Sequence, residues 1–457
     1  MTAMTIRQAN QLLSTGETST ESLIQALLQR IDATDDTVHA WLDVRPRYLV
    51  DGARVADRRR TLPREAPPLL GIPLGIKDII DVAGYATECN MPSRKGIAAA
   101  ARDAEMVHRL RQAGALFVGK TVTQEAAAGV VSDPCRNPWD TDRIPGGSSG
   151  GTAAAIANGT CLGGLGTDTG GSIRIPAALC GVVGLKPTYG RLPLDGIFPL
   201  SASLDSVGPL ARTVADAVVL YLVMANRPEE VAGVWERYPE SEGTLAGTRI
   251  GVIRPFFADR LQKAVADAFE ASIMTVRELG AEVVEVEWPD AAHARTVAMM
   301  ISRVESAQVH RSAMRDPEGE MGEALRSRIE LGAIMPADAY FQALAARVAI
   351  RESIAALYRE HRIDAVMVPT VPATAPKSGD AVEYEDGTSE EVSAAMTRLT
   401  QPWNATGQPV ISVPNGFDGQ DLPTSVSFVG RPDAELALAD IAHAFEQATG
   451  FWMRVAQ

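Results

Sequence analysis

Cysteine is scarce in this chain: four occur in 457 residues, at positions 89, 135, 161 and 180, with no CxxC spacing. A chain of this size does not rest on a disulfide framework, and buried reduced thiols are expected. The six histidines (39, 108, 293, 310, 361 and 443) form neither HExxH nor HxH, so the spacing of a metal site is missing and no metal or other cofactor is expected. Basic charge is short as well, 43 Lys and Arg against 57 Asp and Glu, for a net charge of −14. Such a surface repels phosphate backbones and anionic lipid, which argues against nucleic acid or a membrane as the primary partner. Apolar runs such as Ala217 to Ala225 fall short of the roughly 18 residues of a membrane span. Met1 to Gln11 has no charged start followed by an apolar block, so a cytoplasmic protein is expected.

The composition is that of a globular protein, 46% hydrophobic and 22% charged. Apolar spacing over Thr5 to Thr34 predicts two helices broken at Ser14-Thr15-Gly16, the second capped within Thr18 to Glu21. Strands are predicted at Leu69 to Ile80, Ala115 to Val118, Arg249 to Ile253, Glu282 to Val286, Asp364 to Pro369 and Pro409 to Pro414. Helices are predicted at Arg102 to Gln112, Gly151 to Asn158, Val214 to Met224 and Ala258 to Leu279, with a mainly helical stretch at Val297 to Tyr358. The alternation argues for one α/β/α domain over 1–457, with a central mixed, mostly parallel twisted sheet flanked by helices. Within it, 1–60 reads as an N-terminal helical region, 71–215 as the core and 225–360 as a more variable helical region on the substrate side, covering the sheet or forming a lid.

Two glycine-flanked serine sites stand twenty-four residues apart: Gly146-Gly-Ser-Ser-Gly-Gly151, and Gly166-Thr-Asp-Thr-Gly-Gly-Ser172. Glycine beside a hydroxyl nucleophile lets backbone N–H groups approach a substrate oxygen, which points to acyl transfer. No histidine lies near either segment, and Lys77 is the better base because its apolar neighbours disfavour the ammonium form. The alternative is a lysine paired with Asp78 at a strand end. Asp168 and Arg174 bracket the second segment and are expected to brace it as an ion pair.

Two patterns mislead. Gly114-Ala-Leu-Phe-Val-Gly-Lys-Thr121 fits GxxxxGK[ST], but its interior is strand-like where a phosphate loop must turn. The glycines from Gly163 to Gly170 lack GxGxxG spacing and read as tight turns.

Taken together, these segments resemble the amidase signature family. The likeness runs through Gly71-Ile-Pro-Leu-Gly-Ile-Lys-Asp78, Arg136-Asn-Pro-Trp139, both serine segments, Cys180 to Arg191, Ser203-Leu-Asp-Ser-Val-Gly-Pro209, Val368-Pro-Thr370 and Asn404-Ala-Thr-Gly-Gln-Pro409. The resemblance implies that Ser172 is the nucleophile, that Ser148, following a cis peptide bond, bridges it to Lys77, and that Ser149 supports both. It also implies an oxyanion site at Thr169, Gly170, Gly171 and Ser172. It places Glu125-Ala-Ala-Ala-Gly129, with Ala127, near the substrate, where small side chains leave room for a bulky acyl group unless they serve as helix core. The implied activity is hydrolysis of an amide, aryl amide or carbamate of small-molecule size, with a homodimer open. The alternatives are the glutaminase subunit of a tRNA-dependent amidotransferase and a non-catalytic scaffold. The acidic residue that the glutaminases carry upstream of the Asn-x-x-Gly segment is replaced here by Thr397.

Overall fold

The computed structural model describes residues 4–63, 66–241, 243–314 and 321–456. Thirteen strands are named in chain order: β1 (Trp41–Val44), β2 (Pro73–Lys77), β3 (Leu116–Thr121), β4 (Gly163–Asp168), β5 (Val183–Lys186), β6 (Ser206–Ala211), β7 (Arg249–Val252), β8 (Glu282–Glu285), β9 (Ala365–Pro369), β10 (Val382–Glu383), β11 (Ser389–Glu390), β12 (Val410–Phe417) and β13 (Pro423–Gly430). All but β10 and β11, which pair with each other, join one eleven-stranded sheet in the order β1-β3-β2-β4-β6-β5-β12-β13-β9-β7-β8.

The expected mixed sheet between helices is present, but its parallel character is confined to two flanks. Strands β3, β2 and β4 run parallel, as do β9, β7 and β8. From β4 through β6, β5, β12 and β13 to β9 every pairing is antiparallel. For one of these pairs the connection accounts for the direction: β12 turns directly into β13, and a tight return cannot join parallel neighbours.

The N-terminal helices Ile6–Thr15 and Thr20–Val38 start at Thr5 and Ser19, each of which accepts a backbone N–H on its hydroxyl. Helix Val214–Met224 is buried along its whole length and joins Leu74, Ile76, Leu165 and Val183 in the largest core cluster. Helix Gly150–Ala157 packs its alanines against Val118 and Val122. The helical stretch beyond β8 consists of Ala291–Val309, Arg311–Met314, Glu323–Ala333 and Ala337–Glu360; positions 242 and 315–320 of the expected helical region lie outside the described residues. No helix among the described residues is long and apolar enough to cross a membrane.

One expectation changes and another holds. Gly163 to Asp168 is not a set of turns but strand β4, buried near the middle of the sheet. Its glycines serve close packing: a Cβ on Gly164 would stand 2.5 Å from the Gly75 carbonyl oxygen. Gly114, at φ +93°, follows helix Glu105–Gln112 and leads into β3, as expected of a helix end and not of a phosphate loop.

Candidate active site

Lys77 closes β2, and its side chain is fully buried. Its Nζ stands 2.7 Å from Ser148 Oγ and 2.9 Å from Thr167 Oγ1. Among the described residues no carboxylate forms an ion pair with it. Asp78 turns instead to Lys120 on β3, 2.9 Å away with both side chains 2% exposed. That pairing removes the alternative reading of Lys77. Burial drives the Lys77 ammonium down to about 7, against the opposing pull of Asp168 and Asp205.

Ser148 and Ser149 lie just before helix Gly150–Ala157, and the Gly147–Ser148 peptide bond is cis. The helix can follow so closely because Gly151 has no side chain: a Cβ there would stand 2.4 Å from Val122 N. Ser149 Oγ lies 3.3 Å from both Thr167 N and Thr167 O, fastening the serine turn to β4. Its backbone N–H donates to the carbonyl of Ser172 at 3.2 Å. One residue thus ties the Ser148 turn to both Lys77's second partner and the Ser172 loop. A side chain at Gly166 would displace it, since a Cβ there would lie 2.7 Å from Ser149 Oγ.

The loop from Asp168 to Ser172 is clamped from two sides. On one side the Asp168 carboxylate, wholly buried, accepts from Gly171 N (2.9 Å), Ile173 N (3.3 Å), Arg174 Nε and Nη2 (2.9 and 2.8 Å) and Asn404 Nδ2 (2.7 Å). Burial alone would raise its pKa, but the Arg174 charge and hydrogen bonds outweigh that and hold it below the ordinary carboxylate range. Gly171 N–H is therefore engaged by the Asp168 carboxylate.

On the other side Thr169 Oγ1 donates to Asp205 Oδ1 at 2.5 Å, and Asp205 Oδ2 accepts from Leu200 N and Ser201 N. Burial raises Asp205 to about 6 in spite of these bonds. Ser201 and Ser203 continue to Glu305, which also accepts from Tyr340, so the loop is linked to helices Ala291–Val309 and Ala337–Glu360. Asp205 and Thr167 are site positions that local pattern does not single out. The presence of Asp205 within Ser203-Leu-Asp-Ser was the available signal.

Ala126 and Ala127 are buried in a short 3-10 turn at φ 48° and 58°, not in the interior of an α-helix. Ala127 borders a narrow cavity that also touches Thr167 and Thr169. The alanines do not open a wide chamber, because Ile197 and Phe198 also line it.

The fold and this lysine, serine and glycine arrangement define a hydrolytic enzyme of the amide-cleaving class. A family model described as Amidase matches residues 22–438, and the chain belongs to the amidase signature family. It is 38% identical over 464 residues to an amidase of Pseudomonas putida, covering 99% of this chain and 98% of the relative. It is 37% identical over 485 residues to a glutamyl-tRNA(Gln) amidotransferase subunit of Roseiflexus castenholzii, covering 99% and 97%. Among solved structures, the inhibitor-bound form of a vestigial protein complex bearing on the origins of an s-triazine catabolic enzyme matches with TM-score 0.90 and 33% identity, covering 98% of this chain and 99% of that one.

Proposed function

We propose that the protein is a free-standing hydrolase of amide, aryl amide or carbamate C–N bonds, working through an acyl-enzyme on Ser172. The observation that carries this reading is Lys77, fully buried and held by hydroxyls alone, a setting in which burial pushes its pKa down to about 7. A lysine in that state accepts a proton at physiological pH.

Neutral Lys77 takes the proton of Ser148 as Ser148 takes that of Ser172, and Ser172 Oγ bonds to the carbonyl carbon. The oxygen, now negative, receives the N–H groups of Thr169, Gly170 and Ser172. Collapse breaks the C–N bond while the proton returns from Lys77 through Ser148 to the departing nitrogen. Water then attacks the ester by the same relay, releasing the acid and restoring Ser172.

A second reading, the glutaminase subunit of a tRNA-dependent amidotransferase, is favoured by relatives of similar identity named as amidotransferase subunits. Thr397 weighs against it: its hydroxyl donates to Ser393 O at 2.6 Å, and no acid stands in its place to receive an amino group. A serine-directed sulfonyl fluoride tests the nucleophile. Labelling in the parent and its loss in Ser172→Ala support the assignment, and undiminished labelling of the variant refutes it.

A further inference from the structure

From Cys161 to Cys180 every residue is buried except Gly170, which is half-buried. The loop that carries Ser172 therefore opens to solvent chiefly at Gly170, and a molecule approaching from outside meets it there. Gln401 stands at that point. A Cβ on Gly170 would lie 3.4 Å from Gln401 Cγ and 3.5 Å from its Nε2, so with glycine at 170 no side chain separates the Gln401 carboxamide from the loop backbone.

The neighbours of Gln401 fix its position. Thr400 Oγ1 donates to Gly170 O at 2.6 Å, Arg174 Nη1 donates to Thr400 O at 2.9 Å, and Asn404 Nδ2 donates to Asp168 Oδ1 at 2.7 Å. These bonds seat helix Gln401–Thr406 on the loop by its first turn. Gln401 is itself only 9% exposed, yet its carboxamide forms no hydrogen bond with any described residue. A nearly buried amide without a partner is costly, because the water it gives up is not replaced. Thr400 and Asn404 spend their polar groups on the protein, whereas Gln401 keeps a donor and an acceptor for a ligand.

What the loop lacks is an acceptor. Its carbonyl oxygens are taken in turn: Gly170 O by Thr400 Oγ1, Gly171 O by Ile175 N at 2.7 Å and Ser172 O by Ser149 N at 3.2 Å. A scissile amide presents both a carbonyl oxygen and an N–H, and the backbone donors of the loop can serve only the first. We propose that Gln401 is a specificity-determining residue whose Oε1 accepts the N–H of the scissile amide or carbamate, so that the site selects C–N bonds bearing a hydrogen over the ester of the same acid. An ester has no hydrogen to offer, and its oxygen would set lone pair against lone pair at Oε1. The inference rests on Ser172 as the nucleophile and adds what recognises the leaving nitrogen.

The experiment compares kcat/KM of the full-length protein on matched pairs: p-nitroacetanilide with p-nitrophenyl acetate, benzamide with methyl benzoate, and ethyl N-phenylcarbamate with ethyl phenyl carbonate. The ratio of the N–H substrate to its oxygen counterpart is expected to fall about 10-fold in Gln401→Leu, the worth of one neutral hydrogen bond. Gln401→Glu keeps the acceptor oxygen, and its ratio is expected to stay nearer the parent. Phenylmethylsulfonyl fluoride, which carries no N–H, reads Ser172 in parallel and is expected to label the parent and both variants alike. With the parent labelled, an unchanged ratio in Gln401→Leu, an equal fall in Gln401→Glu, slowed labelling of the variants or failure to turn over any N–H substrate overturns the inference alone; slowed labelling would make Gln401 a support of the loop. Absence of labelling in the parent, or undiminished labelling of Ser172→Ala, overturns the nucleophile assignment instead.

Discussion

Lys77 and Lys120 sit on adjacent parallel strands, both buried, and meet opposite fates. Lys120 Nζ pairs with the Asp78 carboxylate, whereas Lys77 faces hydroxyls and is driven toward the neutral amine. The sign of the pH dependence follows. Above about 7 the amine is free to accept a proton, and below it the ammonium cannot, so kcat/KM is expected to fall on the acid side with a midpoint near 7. A pH-rate profile flat through that region would contradict a lysine base. Lys77→Ala is expected to lower kcat by about 1,000-fold or more with the fold retained by circular dichroism, the upper part of the range for a positioned base. Asp205→Asn addresses a second residue: an amide there sets N–H groups against Leu200 N and Ser201 N or releases Thr169. A kcat loss of roughly 10- to 100-fold is expected. Because Asp205 raises the Lys77 pKa, the acid midpoint should also move lower, which mere loosening of the loop would not produce.

At the scale of elements, the loop from Asp168 to Ser172 gains its order from groups far away in sequence. Arg174 donates to Asp168 and also to Thr400 O and Asn404 Oδ1, pinning the loop to helix Gln401–Thr406 and the residue before it. Arg174→Met strands the Asp168 carboxylate in the interior. A loss of about 3–5 kcal/mol in urea unfolding is expected, the usual consequence of breaking one side of a buried pair. Recovery of part of that loss in Asp168→Asn/Arg174→Met would show that the stranded charge is responsible; a single variant as stable as the parent would contradict the clamp. The elements themselves were unevenly legible. Val214–Met224 and Gly150–Ala157 follow from their apolar content and flanking residues. Strand β4 was hidden because Gly163, Gly164, Gly166 and Thr167 make up most of it, and local pattern assigns such residues to turns. Only the approach of β2 and β6 on either side makes it a strand.

Across the whole molecule, one sheet carries Lys77 on β2 and Asp168 on β4, and the helices beyond β8 reach the same loop through Glu305. The three proposed catalytic groups, Lys77, Ser148 and Ser172, all belong to the first half of the chain. If the free-standing reading holds, the purified single protein turns over a neutral amide with no partner added. An absolute requirement for a second protein, with ammonia released from glutamine in its presence, would favour the amidotransferase reading.

The glycine-flanked serine segments and the apolar setting of Lys77 were visible in sequence because glycine content and local apolar runs are properties of the segments themselves. The same holds for the caps at Thr5 and Ser19. The identity of each partner was left to tertiary structure: that Asp78 serves Lys120 and not Lys77, that Thr167 is the lysine's second hydroxyl, that Asp168 engages Gly171 and that Asp205 grips Thr169. These contacts join strands and loops brought together by packing, and a burial-driven pKa depends on everything that excludes water, which no local run of residues encodes.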